Sequence, residues 1–125
     1  LDLPLDEDRD QYDMLLERFF KKHPQVHHCI TFNSKAHIVG EFLRRSNRRN
    51  IQIMGYDMVE KNAECLRQGS ISFLIAQHAY MQGYECVETL FDAIVLKREV
   101  NPVNYMPIEL LTKENIEFYR RKNIG

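Results

Sequence analysis

Three stretches of this sequence end a short apolar run in side chains able to form hydrogen bonds. Cys29-Ile30-Thr31-Phe32 runs into Asn33-Ser34, Ile51-Gln52-Ile53-Met54 into Gly55-Tyr56-Asp57, and Ile71 to Ala76 into Gln77-His78. Asn and Gln carboxamides donate and accept, while an Asp carboxylate accepts only. Such a mixture matches a neutral polyhydroxylated ligand, whose hydroxyls donate and accept side by side. Tyr56 and Tyr80 stand beside the same run ends and can cover the apolar face of a sugar ring. Each residue also has an ordinary use. Asn, Ser and Asp after a strand serve as turn and N-cap residues, and Gln77, a poor cap, can simply be solvated. Only the coincidence at three run ends makes binding competitive.

The elements that would carry these residues follow from apolar spacing. Tyr12, Leu15, Leu16, Phe19 and Phe20 fall at i, i+3, i+4, i+7 and i+8, which predicts an amphipathic helix over about 8–22, closed by Lys21, Lys22 and Pro24. Residues 29–32 read as a buried strand. Ile38, Val39, Phe42 and Leu43 predict a second helix over about 36–46. Further strands are expected at 51–54 and 71–76, separated by a helix at about 59–68 that Gly69 terminates. Tyr84, Val87, Phe91, Ile94 and Val95 predict a long helix over about 80–97, broken by Asn101-Pro102. Residues 103–111 read as extended and divided by Pro107, and Thr112 is expected to cap a last helix to Tyr119. Leu1-Asp2-Leu3 reads as the tail of an earlier strand. Alternating strands and helices predict an α/β fold, three-layer α/β/α with a mostly parallel sheet. In such a sheet ligands bind beyond the carboxyl ends of the strands, where Asn33, Asp57 and Gln77 fall.

Composition narrows the function classes. The chain has 125 residues, 28% charged, with a net charge of −1, so it lacks the basic face of a nucleic-acid-binding domain. No apolar run approaches the roughly 18 residues of a membrane span. The acidic start, without methionine or the basic region of a signal peptide, suggests a processed or cut piece. Cys29, Cys65 and Cys86 are too few and too widely spaced for a disulfide framework; they read as buried thiols in a reducing, cytoplasmic setting. No metal-ligand spacing, phosphate-binding loop or nucleophile elbow occurs, so no metal, no cofactor and no enzyme activity are expected. His27 and His28 would point to opposite faces of a strand. The group Arg44, Arg45, Arg48 and Arg49 reads as a solvated helix end in preference to a phosphate site.

The residues also resemble a known family. Ile51 to Asp57, then Ile71 to Gln77 with Gln82-Gly83, are similar to the C-terminal half of the effector-binding core of the lactose-repressor family. His28 to Ala36 is similar to that family's strand ending in Asn-Asp before a helix, and Asn104 to Asn115 to its last crossover and terminal helix. The likeness covers about residues 8–120. It implies a type I periplasmic-binding-protein-like core with two lobes and three crossovers, shared with sugar-binding proteins of ABC transporters. It implies that Asn33, Asp57 and Gln77 contact the effector, with Ser34, Tyr56 and Tyr80 as further candidates. Ser34 departs from the family's Asp, and Ala79 stands where a larger side chain lines the pocket.

By the same resemblance, residues 1–77 and 107–125 form the second lobe and 79–106 belong to the first. The apolar stripe from Tyr84 to Val95 should then pack against another copy or fold back. The implied function is a sugar-sensing domain of a transcriptional regulator, acting as a homodimer or swapped oligomer. It would meet DNA only through a domain outside this chain and would not engage a membrane. The alternatives are the sugar-binding component of an ABC transporter and an enzyme of doubly wound fold, for which only Asp57 offers itself.

Overall fold

Asp8 opens the first helix. Its carboxylate accepts the Gln11 amide at 2.9 Å, which satisfies one of the helix's orphan donors. Helix α1 (Arg9–Lys22) buries Tyr12, Leu16 and Phe20 at i, i+4 and i+8, and its last turn carries Lys21 and Lys22 against the negative end of the helix dipole. This is the expected helix. The computed structural model describes residues 1–4 and 8–119.

Helix α2 (Ala36–Arg45) buries Ala36, Val39, Gly40, Phe42 and Leu43. Its arginine group is more than a solvated end. Arg45 Nη2 lies 2.5 Å from Asp13 Oδ1, and Arg48 Nη2 donates to Glu17 Oε1 at 2.9 Å, both across to α1. The Arg48 guanidinium also lies 5.7 Å from the Phe20 ring centroid and 6.0 Å from that of Phe42. Packing brings α1 and α2 together, and two of the four arginines tie their rims.

Strands β1 (His28–Ile30), β2 (Gln52–Tyr56) and β3 (Phe73–Ala76) pair in parallel, and β4 (Glu109–Leu111) runs antiparallel to β3. The order is β1-β2-β3-β4, with His28 opposite Gln52, Met54 opposite Phe73 and Leu74 opposite Leu111. A mixed α/β architecture with a mostly parallel sheet is therefore borne out. The first strand was expected to be buried; it is instead the sheet's edge, with His27 and His28 both exposed and Ile30 51% exposed. It is also shorter than expected, although the Thr31 amide still donates to the Met54 carbonyl at 3.0 Å.

On β2 and β3, alternate residues Ile53, Gly55, Leu74 and Ala76 are buried, as the two-residue strand period requires. They meet the apolar faces of α1, α2 and α3 (Glu60–Gln68) in one core. Gly55 permits the closest approach: a Cβ there would collide with the Cβ of Ala36. Gly69 ends α3 in the left-handed conformation, φ +84°, as its position predicted.

Beyond β3 the chain makes an excursion. Helix α4 (Ala79–Ile94) has no buried residue, and none of residues 79–110 is buried. The stripe expected to be covered is open here: Val87 is 69% exposed and Ile94 62%. It does not fold back into the core. The long helix stops at Ile94, three residues short of expectation. Of the extended run 103–111, only the part after Pro107 forms a strand, because only there does β3 offer a pairing edge. Residues 103–106, which read as extended, form no strand.

Three smaller expectations need correction. Thr112 was expected as a cap, but the side-chain bond runs the other way: its amide donates to Asn115 Oδ1 at 2.8 Å, and a helical turn follows at 116–119. Leu1-Asp2-Leu3 forms no strand; Pro4 is instead held by a 2.8 Å bond from the Tyr12 hydroxyl to its carbonyl. Of the cysteines, Cys65 is buried and Cys29 half-buried, but Cys86 is exposed because α4 lies outside the core. No helix among the described residues is long and apolar enough to cross a membrane, and no cluster there could hold a metal ion.

Candidate ligand-binding edge

The carboxyl ends of β1, β2 and β3 bring the sequence-predicted residues to one edge of the sheet. The Asp57 amide donates to the Ile75 carbonyl at 2.9 Å, which carries the β2–β3 pairing one residue past the end of β2. Asp57 then turns with φ +69°, and His78 at the end of β3 with φ +52°. Left-handed backbone is costly for non-glycine residues, and such costs concentrate where function demands a particular geometry.

The turn at Asp57 meets the side chain that leaves β3. Gln77 Nε2 donates to Asp57 Oδ1 at 3.3 Å, so two of the three principal candidates are in contact. The Gln77 carbonyl accepts from Gln82 Nε2 at 2.6 Å, which ties it to the first turn of α4.

Asn33 is positioned differently. Its Oδ1 accepts the Lys35 amide at 2.9 Å, the turn use that its residue type allowed. Among the described residues no hydrogen bond joins it to Asp57 or Gln77. Ser34 contributes its carbonyl to the interior, and Tyr56 is half-buried with its ring centroid 6.3 Å from that of Phe32. Tyr80 is 67% exposed on α4 and joins no aromatic pair among the described residues.

What organises this edge is a residue that spacing did not single out. Asn62 of α3 is fully buried. Its Nδ2 donates to the carbonyls of Ser34 at 2.9 Å, Tyr56 at 3.0 Å and Asp57 at 3.0 Å. An amide has only two N–H groups, so one of them is shared between two carbonyls. Its Oδ1 accepts the His37 backbone amide at 2.9 Å and lies 3.0 Å from His37 Nδ1. A carboxamide oxygen only accepts, so bonding assigns a proton to His37 Nδ1. One side chain thus bolts the β1 exit to the β2 exit.

The sequence did carry a signal. Asn is a mostly exposed residue type, and here it falls beside Ala63, Cys65 and Leu66 on the buried face. Phe32, 82% exposed immediately before Asn33, is a third aromatic at the edge, beside Tyr56 and Tyr80, that the sequence reading missed.

A groove of about 540 Å³ runs between β1, α1, α2 and residues 1–4. It is lined mainly by apolar side chains and reaches Phe32 and Asn33, but neither Asp57 nor Gln77. Beneath the edge, burial raises the pKa of the Tyr119 phenol above its usual value; a hydrogen bond from the His78 backbone opposes this, and the Glu109 and Asp57 carboxylates add to it.

A family model described as a periplasmic binding protein domain matches residues 3–98, a span that includes Asn33, Asp57 and Gln77. The chain belongs to the periplasmic binding protein domain family. Among solved structures, one assigned as a LacI transcriptional regulator from Bacteroides fragilis is 48% identical, with a TM-score of 0.83 over 86% of this chain. A carbohydrate transporter solute-binding protein from Agrobacterium radiobacter in complex with D-arabinose is 20% identical, with a TM-score of 0.78 over 94% of this chain. A glucose-galactose binding protein from Geobacillus stearothermophilus is 23% identical, with a TM-score of 0.74 over 87%. The last two share the periplasmic binding protein fold. The chain spans 37%, 40% and 39% of these three structures. A comparison with curated protein sequences returned no match.

Proposed function

We propose that this chain is the effector-sensing part of a lactose-repressor-type transcriptional regulator, and that its effector is a neutral sugar or sugar-like polyol. The observation that carries the regulator reading is the 48% identity to a structure assigned as a LacI transcriptional regulator, over 86% of the chain. The transporter reading has support only from relatives at 23% identity or less, where the fold alone is shared.

Asp57 and Gln77 are the core of the proposed site, with Asn33 beside them and Ser34, Tyr56 and Tyr80 as peripheral candidates. The Gln77 carboxamide donates to Asp57. A sugar hydroxyl can take over both partners, donating to the carboxylate and accepting from the amide. Residues 1–77 and 107–125 act as one lobe, and the solvent-open excursion 79–106 belongs with a second lobe. Its exposed stripe is covered there or by another copy of the chain.

Effector binding between lobes favours one arrangement over the other, and only an effector with different affinities for the two arrangements moves the equilibrium. A homodimer carries that change to a DNA-binding segment outside this chain. The protein works in the cytoplasm as a binding module and not as an enzyme.

Calorimetry of the full-length protein against D-ribose, D-arabinose, D-tagatose, D-glucose and D-galactose tests the reading, paired with DNA retention on a gel with and without the best ligand. Saturable binding of one sugar that also changes DNA retention supports it. Saturable sugar binding with no DNA binding under any condition would favour the transporter alternative. Binding of none of the sugars would refute the carbohydrate reading.

A further inference from the structure

The Gln77–His78 peptide is where the chain leaves the core, and Glu109 is where it returns. Register places the two side by side, with Ala76 opposite Glu109. Between them lies a stretch with no buried residue, yet His78 at its root is only 4% exposed. An imidazole buried beneath a solvent-open excursion calls for an account.

Its surroundings supply one. His78 Nε2 lies 3.2 Å from Glu109 Oε1, close but off the line of a hydrogen bond. The His78 ring centroid is 5.0 Å from that of Tyr119, which is itself buried. The Tyr119 hydroxyl bonds to the His78 backbone, and the Glu109 and Asp57 carboxylates are near enough to act on it. The other end of the same peptide unit, the Gln77 carbonyl, accepts from Gln82 at 2.6 Å. The peptide that sets the direction of the Gln77 side chain is therefore gripped at both ends, and it is held in a left-handed turn that a histidine would not adopt unsupported.

We propose that His78, Glu109 and Tyr119 form a clamp at this neck, in which His78 is a positioning residue that holds the Gln77 carboxamide against Asp57 for the ligand. The clamp rests on the reading of Asp57 and Gln77 as ligand contacts. It joins β3, β4 and the turn at 116–119, so the lobe presents Gln77 in a fixed direction whatever the excursion does. Tyr119 acts on the peptide, Glu109 on the ring, and neither needs to touch the ligand.

The test uses the full-length protein with its glutamine side-chain amides isotopically labelled, as wild type and as Tyr119→Phe, His78→Leu and His78→Gln. The clamp predicts that the Gln77 amide signals move in sugar-free Tyr119→Phe and His78→Leu. It also predicts that the Kd for the tightest-binding sugar among D-ribose, D-arabinose and D-galactose weakens about tenfold in each, the size of the one ligand hydrogen bond lost when Gln77 turns away. His78→Gln keeps a polar group facing Glu109 and should stay within about threefold of wild type. Unmoved Gln77 signals in both variants overturn the clamp, as does an equal loss in His78→Leu and His78→Gln. Tyr119→Phe removes a single hydroxyl and carries the test if His78→Leu does not fold. If wild type binds none of the sugars, the carbohydrate reading fails, and the Gln77 signals alone decide the clamp.

Discussion

Replacing Asn62 with Ala strips partners from five backbone and side-chain groups at once. The carbonyls of Ser34, Tyr56 and Asp57 lose a donor, and the His37 amide and imidazole lose an acceptor, all at 2.9–3.0 Å in the wild type. Each buried group left unsatisfied costs about 1–3 kcal/mol. The edge opens to solvent, so water can recover part of this; two groups left unpaired at an intermediate cost give a loss of about 3 kcal/mol.

That is a large share of the roughly 5–15 kcal/mol that holds a typical domain. With a urea slope of about 2 kcal/mol per molar, the midpoint falls by about 1.5 M. Urea unfolding followed by circular dichroism measures it. Asn62→Asp keeps the acceptor for His37 but turns a carboxylate toward three carbonyls, so its loss should be at least as large. A loss below about 1 kcal/mol in both variants would show that Asn62 is not the bolt of the edge.

Two other perturbations test the fold that carries the site. Gly55→Ala drives a methyl group into Ala36 and should destabilise by about 2 kcal/mol; a neutral effect in the same urea assay would mean that β2 and α2 separate easily. Among the thiols, Cys86 should react first with an aromatic disulfide reagent and Cys65 only on unfolding, because burial raises the Cys29 and Cys65 pKa values and withholds the thiolate. Equal rates for all three would contradict the packing of α3 against the sheet.

Periodicity was a good guide wherever an element buries one face. The stripe Tyr12, Leu16 and Phe20 specified α1, because burial on one side imprints its period on the sequence, and the short apolar runs at 51–54 and 71–76 marked β2 and β3. It misled at β1, where Cys29 to Phe32 read as one buried strand but only Cys29 and Ile30 lie on β1, at the sheet's edge, since an apolar run does not say how many neighbours it has. It misled at Cys86 for a related reason: the stripe of α4 is apolar, yet among the described residues nothing buries it.

The candidate site was legible in its end points. Asp57 and Gln77 follow strands, and parallel strands bring their carboxyl ends together. The partners that hold them were not. Asn62 and Tyr119 reach the edge from elsewhere in the sequence, and a contact between distant positions leaves no period to read. His78 was seen as a strand end, but its burial depends on Glu109 and Tyr119.

The central claim is that the Asp57 carboxylate receives a ligand hydroxyl, and Asp57→Asn tests it most directly. Asn tolerates the left-handed backbone found at this position, φ +69°, so the exchange alters the carboxylate with little change to the turn. Calorimetry of full-length wild type and variant against the tightest-binding sugar of the panel gives the answer. The account predicts an affinity at least about tenfold weaker with an unchanged unfolding midpoint, since a hydrogen bond to a charged group is worth about 1.5–3 kcal/mol. An affinity equal to wild type would remove Asp57 from the site.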